Sequence, residues 1–162
     1  MYRRSRFVIA ALLVVLTSAV VSYAVSARVP QTLRPSGTTR YAMAQSSTGV
    51  NNTSVNNFIP TGLATSVTIP AGKHADVMVV FCSGGDGDDS FLTVRGKIGG
   101  SVLLPADGFN LMIGPYITGT HCATFYKTGV GEGTKTVKVE WKALAAGAYL
   151  NDRSMIVTLN ID

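Results

Sequence analysis

Cys82 and Cys122 are the only cysteines of the chain, and His74 and His121 its only histidines. Such side chains could ligate a metal through sulfur and nitrogen, or pair a nucleophile with a base. The spacing argues against both. His121 and Cys122 are neighbours in a run of β-formers, so their side chains leave opposite faces of a strand. Neither C-x-x-C nor H-E-x-x-H occurs. An even pair of cysteines outside the cytosol reads instead as a disulfide. Closing a loop of this length stabilises by roughly 4 kcal/mol in the chain-entropy picture.

The carboxylates offer two further chemistries. Asp86, Asp88 and Asp89 gather in the glycine-rich stretch 83–89 and could present oxygens to calcium. The EF-hand spacing and its closing Glu are missing, so solvated charges in a turn are the stronger reading. No metal or other cofactor is expected. Glycoside hydrolysis needs two carboxyl groups about 5 to 10 Å apart. The only glutamates are Glu132, in a glycine turn, and Glu140. Glu140 lies between Lys138 and Lys142 on the polar face of its strand, placed to pair across strands. The G-x-S-x-G elbow of a serine nucleophile is absent. The chain is therefore expected not to be an enzyme. Tyr41, Tyr116, Tyr126 and Tyr149 could offer rings to sugars, although tyrosine is also an ordinary strand residue with a polar handle. The sequence leaves open which of them converge.

The elements that must position these residues follow from pattern. Arg3, Arg4 and Arg6 precede residues 7–27, a run without a charged residue. A basic start, an apolar run and a small-residue end make an export signal. Residues 1–27 read as a cleaved signal peptide or as an N-terminal membrane anchor, since about 20 apolar residues span a bilayer. Cleavage is favoured by the serines and threonine of the second half. Residues 28–39, with Pro30, Pro35 and Gly37, read as a linker, and residues 40–162 as one domain. From Arg28 onward there are 11 Lys and Arg against 9 Asp and Glu, near neutrality. Lys135, Lys138 and Lys142 are interleaved with Glu132 and Glu140. Nucleic acid, which needs a clustered basic face, is not an expected partner. A membrane is one only through residues 7–27, if uncleaved.

Within the domain, short runs of β-formers alternate with Gly, Pro and Asp. Residues 64–69 end at Pro70-Ala71-Gly72, and residues 75–82 suggest a central strand buried on both faces. Gly99-Gly100 signals a two-residue hairpin. Residues 120–128 stop at the glycines of 129–133. In residues 134–142, Val137, Val139 and Trp141 share a face. In residues 154–161, Met155, Val157, Leu159 and Ile161 do the same. Period-two alternation with one polar face marks strands on a two-layer structure. The expected fold is all-β: a two-layer antiparallel β-sandwich of about eight strands, jelly-roll-like, behind an N-terminal hydrophobic export helix.

The closing stretch, from Gly133-Thr134-Lys135-Thr136-Val137-Lys138-Val139-Glu140-Trp141 to Asn151-Asp152-Arg153-Ser154-Met155-Ile156-Val157, resembles the last strands of C1q/TNF-like jelly rolls and related bacterial exported sandwiches. The resemblance implies homotrimers and protein binding. No collagen-like stalk precedes the domain.

Three functions follow in order. The first is an exported, non-enzymatic binding or assembly module, secreted or tethered at the cell surface, that meets proteins or copies of itself. The second is a carbohydrate-binding module using Tyr116, Tyr126 and Tyr149. The third is a hydrolase joining Asp107, Glu132 or Asp152 to a histidine. Ile156 is the one large apolar residue on the polar face of the last strand, and it would favour self-association if Ile113, Ile117 or Tyr149 lies beside it in an exposed apolar patch of several hundred Å².

Overall fold

The computed structural model describes residues 37–51, 57–86, 91–106, 111–113, 118–144 and 148–162. Residues 1–27, the expected signal peptide or anchor, lie outside them. No helix among the described residues is long and apolar enough to cross a membrane. Their regular structure is β: β1 (Thr38–Ser46), β2 (Val50–Asn51), β3 (Ile59–Asp86), β4 (Leu92–Ile98), β5 (Ser101–Val102), β6 (Leu111–Ile113), β7 (Thr118–Ala143) and β8 (Tyr149–Ile161). They form an antiparallel sheet in the order β1-β8-β3-β7-β4-β5, with β2 on β8 and β6 on β4.

One expectation needs correction. Pro70-Ala71-Gly72 and the glycines of 129–133 do not separate strands. β3 runs through the first and β7 through the second, and the two strands pair along nearly their whole lengths. Both bend at the same level. The register shifts between Ile69 and His74 and again between Ala75 and Val77. Gly72, Gly129 and Gly133 hold φ of 71°, 64° and 100° there, the left-handed region that suits glycine. The amide of Gly72 donates to the Glu132 carboxylate across the bend. Turn-forming residues at matching heights in paired strands make bulges, which bend a ladder without ending it.

The bend divides the sheet. Residues 75–86 of β3 lie between β7 and β8, with β1 beyond. Residues 59–69 pair with the second half of β7, which carries β4. Odd-numbered residues face inward on both arms of β3. Leu63, Val67 and Ile69 join Val77, Val79 and Phe81 in one core with Val137, Val139, Trp141, Met155, Val157 and Leu159. Trp141 is wholly buried, as its alternation requires. The two halves press closely: a Cβ on Gly96 of β4 would lie 2.7 Å from Leu103 Cδ1 and 3.0 Å from Phe125 Cγ. A side chain there would force Leu103 Cδ1 to move and the Phe125 ring to give way in a close-packed interior. The result is a β-sandwich whose layers are continuous through β3 and β7. The hairpin at Gly99-Gly100 forms as expected, with Ile98 opposite Ser101 and both glycines at positive φ.

Candidate functional site

Cys82 and Cys122 stand directly opposite each other on β3 and β7, with Cα atoms 4.1 Å apart, and are joined in a disulfide. They lie on the outward face, beside Val80 and Thr124, the next pair on that face. His121 faces Ser83 and does not approach His74, which sits at the bend and donates its amide to Asp162 at 3.0 Å. Among the described residues no three His, Cys, Asp or Glu side chains gather as metal ligands. Asp86 closes β3, and Asp88 and Asp89 lie outside the described residues, as do Asp107 and Tyr116.

The remaining tyrosines and Ile156 are placed by register. Met43 of β1, Ile156 of β8, Val80 of β3 and Thr124 of β7 form one row across the sheet. Tyr41, Thr158, Met78 and Tyr126 form the next, extended by Leu104, which bridges to Tyr126. The members from β3, β7 and β8 are even-numbered and the two from β1 odd-numbered, and all point away from the core. Tyr41 is 72% exposed, Met43 65%, Tyr126 49%, Leu104 48%, Met78 43% and Ile156 40%. These two rows carry no charged side chain. Asp76 and Asn160 bound them on one side and the disulfide on the other. Contiguous exposed apolar side chains of this kind mark interaction sites. Tyr149 also faces solvent, but it lies at the far end of β8 opposite Asp86 and Asn51, apart from Ile156, Tyr41 and Tyr126. Ile113 pairs with Leu92 of β4 and Ile117 lies outside the described residues, so the neighbours of Ile156 are not the expected ones.

Glu140 is more buried than its place on a polar strand face implies. Arg95 Nη2 lies 2.7 Å from its carboxylate, Lys138 Nζ 3.0 Å and Lys97 Nζ 3.6 Å. Burial by itself raises the Glu140 carboxyl. The hydrogen bonds from Lys138 and Arg95, with the charges of Arg95 and Lys97, outweigh it and hold the group below the usual carboxylate range. The expectation that no basic cluster exists therefore needs correction, because the cations of β7 meet those of β4 across the ladder. The signal was the outward alternation of Thr93, Arg95 and Lys97.

A second buried charge is Arg153, at the inward parity of Met155 and Val157. Its guanidinium donates to the carbonyls of Leu150 and Thr48 and to the hydroxyl of Ser46. No carboxylate pairs with it among the described residues, and desolvation lowers its pKa. It ties the end of β1 to β8. Beside it an open depression of about 450 Å³ is lined by Gln45, Ser46, Ser47, Asp152 and Ser154, with no histidine facing Asp152.

No family model and no curated sequence matches the chain. Among solved structures it is similar to one of the infectious bursal disease virus Gx strain, at 10% identity and a TM-score of 0.50, over 76% of this chain and 32% of that one. The chain thus spans about a third of the viral chain, and the likeness is one of fold. It also aligns with the EclA C-terminal domain, described as a sugar-binding protein, at 12% identity over 68% of this chain and 78% of that one. Another alignment is with the CBM36-1 domain of a multidomain xylanase from the hindgut metagenome of Trinervitermes trinervoides, at 15% identity, 73% and 96%. Both have a TM-score of 0.38, too low for either to bear on what this chain binds.

Proposed function

We propose that this protein is an exported, non-enzymatic assembly module that binds a second copy of itself through the outer face of β1, β8, β3 and β7. The observation that carries this reading is the uncharged apolar patch of Tyr41, Met43, Met78, Tyr126, Leu104 and Ile156. Two identical faces can meet only if their charges do not repel, and this face has none in its two central rows. A disulfide beside the patch suits secretion or display at the cell surface. A face that meets its own copy makes pairs, whereas the resemblance of the closing strands to C1q/TNF-like jelly rolls implies threes, and the scattering mass separates the two.

The test is light scattering on the full-length chain and on a Met43→Lys/Ile156→Lys variant, whose two lysines would fall side by side across β1 and β8. Self-association gives a multiple of the chain mass for the native protein and a smaller mass for the variant. Equal masses would remove the reading, because both samples carry the same N-terminal segment.

Carbohydrate binding is the second reading, favoured by Tyr41 and Tyr126 exposing their rings on one face. Three strand spacings separate them, about 14 Å. A monomeric protein whose tyrosine fluorescence responds to neutral oligosaccharides would replace assembly by this function.

A further inference from the structure

Four cations meet on the outer face of the other half-sheet. Arg95 and Lys97 point outward from β4, Lys138 and Lys142 from β7, with Arg95 opposite Glu140 and Lys97 opposite Lys138. The Arg95 guanidinium lies 3.9 Å from the centroid of the Phe58 ring and the Lys142 ammonium 5.0 Å. Glu140, paired with Arg95, Lys97 and Lys138, is the one carboxylate among them, so the face keeps a formal charge of +3. Nine Lys and Arg and nine Asp and Glu fall in residues 36–162. The domain is therefore neutral, and its positive charge is concentrated here against an equal deficit elsewhere.

The cations are held rather than free. The side chains of Arg95 and Lys97 are 26% and 21% exposed, so each is anchored on Glu140 and still reaches solvent. Part of the ordering cost of binding is already met. Beyond them the same face continues as hydroxyls. Ser66 stands opposite Thr136, and Thr68 opposite Thr134 with their hydroxyls 3.1 Å apart; all four residues are exposed.

We propose that this face binds an acidic polysaccharide. Arg95, Lys97, Lys138 and Lys142 meet its carboxylate or sulfate groups, and the hydroxyl rows meet its sugar hydroxyls. Charge complementarity selects a polyanion. The hydroxyl rows select sugar over other polyanions. Single-stranded nucleic acid is disfavoured because its bases need open aromatic platforms, whereas the one ring here, Phe58, is covered by Arg95 and Lys142. Phe91 and Leu144 are exposed at the next positions of the outward rows, so an anionic membrane is the competing partner that the vesicle arm of the test distinguishes. This site lies on a different half-sheet from the assembly patch and does not depend on it.

The experiment measures binding of the full chain to polygalacturonate and to dextran sulfate, with uncharged dextran as the blank. Retention at about 50 mM NaCl on either polyanion, lost with a log–log salt slope of about −2 to −3, is the expected result for three net charges. Polygalacturonate alone would identify carboxylate as the recognised group, and dextran sulfate alone would identify sulfate. Lys97→Gln/Lys138→Gln should weaken binding roughly tenfold and flatten the slope by one to two. Lys142→Gln, which makes no contact with Glu140, covers the case in which the double variant misfolds; it should flatten the slope by about one. Lys73→Gln, at the exposed bend, should change nothing. Retention on neither polyanion, a slope unmoved by Lys142→Gln, or tighter binding to single-stranded DNA or to phosphatidylglycerol vesicles would overturn the proposal.

Discussion

Replacing Cys82 and Cys122 together by serine removes a cross-link without opening the core. The two residues are 40 apart in sequence. Closing a loop of that size takes about 13 cal/mol/K from the denatured chain, or about 4 kcal/mol at 25 °C. Cys122 is exposed and Cys82 half-buried, so the smaller hydroxyl leaves no internal cavity. On either side Phe81 stays opposite Ala123 and Ser83 opposite His121, which keeps β3 and β7 in register. The loss therefore sits almost entirely in the denatured ensemble. It is a large share of the roughly 5 to 15 kcal/mol that holds a typical domain folded. Urea unfolding followed by fluorescence of the single, wholly buried Trp141 reads it directly. The variant should show a lower midpoint and also a steeper slope, because an uncrosslinked chain exposes more surface on unfolding. A loss below about 1 kcal/mol would refute the loop-entropy reasoning. Two alkylatable thiols in untreated native protein would refute the bond itself.

Three further outcomes follow from the packing and the charges. Trp141→Ala should cost about 3 to 5 kcal/mol in urea unfolding followed by far-UV circular dichroism, since the variant lacks the fluorescent probe. Trp141→Phe should cost less than half of that, because the indole Nε1 has no hydrogen-bond partner and its removal relieves an unmet donor. Gly96→Ala should cost about 1 to 3 kcal/mol through overpacking against Leu103 and Phe125; an unchanged midpoint would mean the layers are not in close contact. Glu140 has its folded-state pKa below its unfolded value, so its stabilisation is present above the ordinary glutamate range, near pH 4.3, and is lost as pH falls through the folded value. Acid unfolding of Glu140→Gln should lack that part of the pH dependence, and identical acid profiles for the two proteins would show that the ion pairs contribute nothing.

The core was legible because alternation is a local property. Val137, Val139 and Trp141, with Met155, Val157 and Leu159, could be assigned to one buried face from their spacing, and the structure buries all six. The cysteine pair followed from count and compartment, but nothing local placed Cys82 opposite Cys122. What the sequence hid was non-local. Pro70 and the glycines near 130 read as ends of strands, and only the partner strand shows that they bend together. The basic face needed the register of β4 on β7 to bring Arg95 and Lys97 to Glu140. The apolar patch needed four strands side by side: Tyr41, Met78 and Tyr126 come from three distant segments, and Ile156 alone gave a faint sign of it. Arg153 could have been suspected, since it continues the inward parity of Met155.

The most direct test of self-association through the outer face uses the methionines. Met43 and Met78 stand in the patch, whereas Met155 lies in the core. Methyl NMR of the 13C-methionine-labelled full-length protein, recorded over a dilution series, reports on all three at once. Self-association through this face shifts or broadens the Met43 and Met78 signals with concentration and leaves Met155 in place. Met43 and Met78 signals that stay fixed while scattering shows a mass above the monomer would place the contact elsewhere, and fixed signals with a monomer mass would mean that the face does not bind a second copy at all.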